Sequence, residues 1–310
     1  MYEAFYGLHE KPFSILPDPD FLYLSKRHEM AYTLLQYAVE SQAGFAVITG
    51  EVGCGKTTLL RHLLNELPAD VTVGMLTNTH ESFGQLLQWI LHAFGLSYQS
   101  RNKVDLYRNF TQFLIEEYSQ GRRTLLIIDE AQNLSPAILE ELRMLSNINA
   151  DKDQVLQTIL VGQPELKAKL NRHDLRQFAQ RVVVDFELQP LDPQETSSYI
   201  ETRLRRAGGT RQLFTPEAVE LIYQWSGGVP RKINMLCDTS MVYGYATKSP
   251  ELAAELVAEA IGDKADNTVF SGPVEKDEPR AAGGSEGKKG DDNKITISVD
   301  RDLVRDLFSR

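Results

Sequence analysis

Two rhythms of apolar positions alternate along the first two thirds of this chain. The short apolar runs Phe45 to Thr49, Val71 to Thr77, Thr124 to Ile128, Val155 to Val161 and Val182 to Leu188 read as strands. Between them apolar residues recur at helical spacing. KRHEMAYTLLQYAVE follows Ser25, an N-cap candidate, and Thr58 to Leu67 stops before Pro68. Glu81 to Phe94, Lys103 to Ser119, Pro136 to Leu145 and Glu165 to Leu170 continue the pattern. Such βα alternation predicts an α/β fold, a doubly wound parallel sheet covered on both faces.

Past Pro190-Leu191 the strand rhythm ends and four helices are predicted, Pro193 to Ala207, Pro216 to Ser226, Pro230 to Thr247 and Pro250 to Ile261. The expected organisation is therefore an aromatic and proline-rich cap over 1–25, a core over 26–190, a small all-helical lid over 191–262 and a tail over 263–310. The cap carries Phe5, Tyr6, Phe13, Phe21 and Tyr23 among Pro12, Pro17 and Pro19, a pattern of rigid turns pinned by buried rings. Large apolar groups are scarce from Gly262 to Asn293, so the tail is expected to be disordered, with ITISVDRDLVRDLFSR as a candidate docking peptide.

Charged residues at 25% and apolar ones at 42% of 310 are ordinary for a globular protein. The net charge of −10 opposes any function driven by bulk positive charge on nucleic acid, although a local basic strip remains compatible with it. No run approaches the roughly 20 apolar residues that span a bilayer, and MYEAFYGLHEKPF has no continuous apolar stretch of the export kind. Two distant cysteines point to a reducing setting. The expectation is a cytoplasmic chain, peripheral to the inner membrane at most through partners.

The chemistry concentrates in GEVGCGKT, which fits G-x-x-x-x-G-K-[ST] between a predicted strand and a predicted helix. Gly50, Glu51, Val52, Gly53, Cys54, Gly55, Lys56 and Thr57, with Thr58 next, form the candidate nucleotide loop. Glycines let backbone N–H groups turn inward around phosphate oxygens, and the following helix adds its dipole. Lys56 is expected on the β- and γ-phosphates of ATP and Thr57 on Mg²⁺. In LLIIDE, Asp129 leaves the C-terminal end of a buried strand, where open α/β sheets bind ligands. Asp129 is the second candidate Mg²⁺ residue and Glu130 the group that polarises the attacking water. A bare acidic pair could instead cap the next helix. The six histidines are dispersed and accompany no cysteine pair, so no zinc site is expected.

With these residues in view the chain resembles the AAA+ ATPases, and among them the ExeA/GspA-like, secretion-associated family. The likeness covers about residues 1–262 through YEAFYGLHEKPFSILPDPDFLYLS, GEVGCGKTTLL, LLIIDEAQNLS, LVGQPEL, LRQFAQRV and GGVPRKIN. It implies that Gln163 is the sensor-one residue, though many AAA+ proteins place Asn or Thr there. It implies that Arg231 is the sensor-two arginine, aimed by Gly227, Gly228 and Pro230. It offers Arg176 or Arg181 as an arginine finger acting on a neighbouring subunit, hence a homo-oligomeric ring or spiral. It places His28 on the adenine side, where a plain helix-start histidine is the alternative.

Two settings follow. The first is an ATPase assisting a bacterial envelope system for secretion, pili or exopolysaccharide, with a protein partner in a membrane complex. Relatives of the ExeA kind continue into a transmembrane helix and a peptidoglycan-binding region, a role that a membrane partner would supply here. The second is an ATP-dependent DNA-binding transposition regulator of the TnsC/MuB kind, for which Arg203, Arg205, Arg206 and Arg211 are the cationic candidates. A regulatory switch with little turnover is a third.

Overall fold

A computed structural model describes residues 1–16, 18–77, 86–99, 102–150 and 153–267. In chain order the elements are α1 (Glu3–Tyr6), α2 (Lys26–Glu40), β1 (Phe45–Gly50), α3 (Lys56–Glu66), β2 (Val71–Leu76), α4 (Leu86–Ala93) and α5 (Lys103–Ser119). Next come β3 (Arg123–Ile128), α6 (Pro136–Leu145), β4 (Asn149–Ala150), β5 (Asp153–Gln154), β6 (Leu156–Gly162), α7 (Pro164–Leu170), α8 (Arg176–Ala179) and β7 (Val182–Leu188). The chain then turns helical, with α9 (Pro193–Arg206), α10 (Pro216–Ser226), α11 (Pro230–Ala246) and α12 (Ala254–Asn267).

Five strands form one parallel sheet in the order β2-β3-β6-β1-β7. Alternation along each central strand feeds two cores. Phe45 and Val47 of β1, Leu126 and Ile128 of β3, and Leu156 and Leu160 of β6 pack with α4, α5, α6 and α7. Ala46 and Ile48, Leu125 and Ile127, and Ile159 and Val161 pack on the opposite face with α2 and α3. Both faces are covered, so every residue of β1 and β6 is buried and both strands are mostly apolar, with Thr49, Gln157 and Thr158 as buried polar exceptions.

The third core gathers α9 to α12 together with Tyr2, Tyr6, Leu8, Phe13 and Phe21. The N-terminal rings are thus part of the helical region's interior: Phe13 meets Phe214 edge-on at 6.1 Å, and Tyr23 meets Tyr199 at 5.9 Å.

Several details depart from the sequence expectation. Helix α3 starts at Lys56 instead of Thr58, because Gly55 at φ 97° supplies a left-handed N-cap that brings Lys56 and Thr57 into the first turn. The last helix starts at Ala254 instead of Pro250, because Leu252 is extended and bridges Phe214, with its N–H on Leu213 O. The β4–β5 hairpin was not expected, being too short to show a periodicity. Residues 81–85 of the helix expected from Glu81, the tail beyond 267 and the candidate docking peptide lie outside the described residues.

Candidate functional site

The loop after β1 runs at the C-terminal edge of the sheet, between its two most buried strands and the helical region. Gly53 has φ 85° and Gly55 φ 97°, conformations that L side chains seldom adopt. Space is as restrictive as torsion there. A Cβ on Gly53 would come within 2.5 Å of the Arg231 Cβ, and one on Gly55 within 3.1 Å of the His28 Nε2.

Lys56 folds back into the loop, its Nζ donating to Gly50 O at 2.7 Å and Glu51 O at 3.0 Å. Burial lowers the pKa of this ammonium, against the upward pull of neighbouring Glu130 and Asp129. The Thr57 hydroxyl donates to Asp129 Oδ2 at 3.2 Å, joining the first turn of α3 to the end of β3. Asp129 Oδ1 accepts the Glu130 N–H at 2.9 Å. Burial raises the Asp129 carboxyl above its ordinary value, and those two hydrogen bonds oppose the shift.

Glu130 is a non-glycine residue at φ 53° and caps the short turn Ala131–Asn133. Strained backbone at the end of a central strand is a feature of functional sites. Its Oε2 accepts from Gln132 Nε2 at 2.5 Å and Gln163 Nε2 at 3.3 Å. The structure therefore brings Gln163, at the end of β6, into direct contact with Glu130.

His28 stands behind the loop. Its Nε2 is 2.9 Å from Cys54 O and its Nδ1 2.8 Å from Ser25 Oγ. A carbonyl only accepts, so Nε2 carries the proton and Nδ1 accepts from the Ser25 hydroxyl. Burial lowers the pKa of this imidazole and keeps it neutral. His28 is thus neither a plain surface histidine nor merely one wall of the cleft, since it also braces the loop.

The cleft opening from the loop is lined by Val52, Lys56, Thr57, Thr58 and Glu130, by Ser14 to Leu16 and Phe21 to Tyr23 of the N-terminal segment, and by Tyr199, Arg203, Arg231 and Asn234 of the helical region. Arg231 lies in the first turn of α11, and its backbone N–H donates to Gly53 O at 3.2 Å, so a loop carbonyl satisfies one of the helix's orphan donors. Gly228 aims this start: at φ 74° its Cβ would fall 1.9 Å from Leu191 O.

Arg176 and Arg181 are outside this constellation. Arg181 is half-buried, donating to Ser146 Oγ at 2.7 Å and to Asn147 Oδ1, whereas Arg176 is exposed. Val182 pairs with Phe45 at the start of β1, while the loop leaves β1 at Gly50. Five residues of strand put about 16 Å between these edges. Neither arginine is placed to act on its own chain's loop.

Three residues that the sequence reading left out of the site also matter. Gln132 grips Glu130 as described. Arg203, one of the cationic candidates for DNA binding, is 6% exposed; it donates to Pro12 O at 2.5 Å and Tyr199 Oη at 2.8 Å, and stacks over Phe21 at 4.9 Å. Asn234 accepts from the Tyr199 hydroxyl at 2.7 Å and donates to Ser14 O at 3.2 Å. Arg206 is held on Asp20 O. Of the four cationic candidates, two are therefore engaged within the chain. No periodicity marks these roles; the only sequence signal was the dense proline and aromatic content of the segment that Arg203 and Asn234 hold.

A loop whose glycines have no room for a Cβ, a buried lysine at its base and an acidic strand end joined to a threonine hydroxyl suit a nucleotide's phosphates and a divalent cation. These features define a P-loop protein of the AAA type. A family model described as an AAA domain matches residues 39–170. General secretion pathway protein A of Aeromonas hydrophila is 39% identical over 253 residues, 81% of this chain and 46% of that protein. The chain thus spans about half the length of this curated relative. It is similar both to the AAA domains and to general secretion pathway protein A, the ExeA/GspA-like branch.

Among solved structures, the Aeropyrum pernix ORC2 protein in its ADPNP-ADP complexes superposes with a TM-score of 0.58 at 17% identity, over 81% of this chain and 72% of that one. Drosophila ORC bound to DNA gives 0.60 at 16%, over 84% and 65%. These likenesses concern the fold. Among the described residues no helix is long and apolar enough to cross a membrane.

Proposed function

We propose that this chain binds ATP with Mg²⁺ and hydrolyses it at a site completed by a second copy of the chain, serving a bacterial envelope system for secretion, pili or exopolysaccharide. The observation that carries this reading is the 3.2 Å hydrogen bond from Thr57 Oγ1 to Asp129 Oδ2, which joins the phosphate loop to the acidic strand end. Lys56 would leave its loop carbonyls for the β- and γ-phosphates, and Thr57 and Asp129 would hold Mg²⁺, which offsets charge developing on the phosphates. Glu130 would orient and polarise the attacking water, with Gln163 beside it sensing the γ-phosphate end. Arg231, at the mouth of the cleft on the first turn of α11, would report nucleotide state to the helical region. The exposed Arg176 is the better candidate to reach a neighbour's site, since Arg181 is already bound to Ser146 and Asn147.

The envelope setting rests on the likeness to general secretion pathway protein A, and a cytoplasmic position at the inner membrane through a protein partner goes with it. Phosphate release and nucleotide affinity test the chemistry. Lys56→Ala should lose nucleotide binding, whereas Glu130→Gln should keep it and lose turnover by about 10²-fold or more. Function left intact by Glu130→Gln would overturn the hydrolytic reading in favour of a binding switch, and turnover in that variant equal to wild type would remove Glu130 as the group that polarises the water. Deletion that leaves surface secretion and polymer export intact would remove the envelope setting, and an ATP-dependent gel shift of duplex DNA at low salt would put DNA in its place.

A further inference from the structure

We propose that Gln132 is a positioning residue for the hydrolysis proposed above, its single side-chain amide gripping the Glu130 carboxylate and the start of α7 together so that the two move as one. The inference rests on that functional reading and adds to it a residue outside the cleft.

Both ends of the amide are engaged. Nε2 donates to Glu130 Oε2 at 2.5 Å, while Oε1 accepts the backbone N–H of Gln163 at 3.0 Å. Gln163 closes the ring, its own Nε2 donating to the same Oε2 at 3.3 Å. The network fixes the amide's orientation, since the flipped form would set its carbonyl against a carboxylate and its NH₂ against an N–H.

The surroundings are built for this side chain. Its backbone carbonyl accepts from Lys169 Nζ at 2.5 Å, and the same ammonium reaches Leu134 O at 2.6 Å, so α7 pins the turn from the other side. Gly162, the last residue of β6, leaves room that a Cβ would take, coming within 2.9 Å of Gln132 Oε1. Glu130 stands in a left-handed conformation at a strand end, and the groups that hold its carboxylate set where it points. A shift of Gln163 therefore reaches Glu130 by two routes, one direct and one through Gln132. Gln132 does not line the cleft, so its loss should act on turnover and spare binding.

Two variants separate the halves of the grip. Gln132→Ala removes both contacts. Gln132→Glu keeps an oxygen for the Gln163 N–H but sets a carboxylate against Glu130. Amide hydrogen exchange on the nucleotide-free chain should show Gln163 protection lost in the alanine variant and kept in the glutamate variant. In both, kcat should fall about 10- to 100-fold, the scale of a misplacement near 1 Å, with the Kd for ADP unchanged. Unaltered Gln163 protection in Gln132→Ala, or turnover in either variant equal to wild type, would overturn the proposal. Should the alanine variant fail to fold, the glutamate variant's kcat against its ADP affinity decides. A wild-type chain that binds ATP without turnover would remove the proposed function and this role with it, whereas unprotected Gln163 in an active wild type would remove the role alone.

Discussion

Replacing His28 by alanine tests whether the loop owes its shape to a brace as well as to its glycines. The imidazole fills the space behind Gly55 and supplies the hydrogen bond to Cys54 O at 2.9 Å. Cys54 is fully buried, so the truncation leaves an acceptor without that donor and a void beside it. An orphaned buried acceptor costs about 1–3 kcal/mol. For an ordered region of this size about 2 kcal/mol lowers Tm by roughly 4–8 °C. Because the loop's N–H groups are set by the same segment, nucleotide affinity should fall alongside, which thermal melts and fluorescent-nucleotide titration would both read.

The pH dependence adds a second arm to that test. Burial depresses the folded-state pKa of His28 below that of the unfolded chain, so its contribution to stability is complete above about pH 6.5 and lost as pH falls through the folded value. Protonation would also put a hydrogen on Nδ1, where the Ser25 hydroxyl now donates. Glu195 is the charged group that pulls the other way. The wild type should lose stability on acidification over this range more steeply than His28→Gln, whose amide can still donate to Cys54 O. Identical melting and affinity in wild type and His28→Ala, or identical acid limbs in wild type and His28→Gln, would refute the brace.

Three further outcomes are expected. Gly228→Ala should be far more damaging than Gly227→Ala in thermal melts: both glycines have positive φ, costing an alanine about 1–2 kcal/mol, but only at 228 would the Cβ strike backbone, 1.9 Å from Leu191 O. Arg176→Ala should abolish turnover while sparing nucleotide affinity, and mixing it with Lys56→Ala subunits should restore part of the activity; Arg181→Ala should chiefly lower Tm through its lost bonds to Ser146 and Asn147. Burial pushes the Cys54 thiol up to about 11 from 9.0, so alkylation at pH 8 should run about 100-fold slower than for an ordinary thiol and recover on unfolding.

Local information in the chain was enough for most of the elements and for the residues that the fold gathers at the candidate site. A strand buried on both faces is mostly apolar, and a glycine loop that cradles phosphate needs glycine where φ is positive, so FAVITG followed by EVGCGKT pointed to β1, the loop and α3 together. Asp129 and Glu130 were legible for the same reason, as charges ending the apolar run of β3.

Contacts between distant segments were left to the tertiary structure. Arg203 meets Pro12 across 191 positions and Asn234 meets Ser14 across 220, and no periodicity encodes such a partner. Arg203 read as one more cationic candidate until the rings of Phe21 and Tyr199 closed over it. The same holds for the N-terminal aromatics, whose place inside the helical region depends on shape complementarity among residues far apart in sequence. His28 became a brace, and Gln132 the link between Glu130 and Gln163, only once strands β1, β3 and β6 lay side by side. Side-chain chemistry was written in the sequence; the pairing of each donor with its acceptor was decided by the packing that excludes water between them.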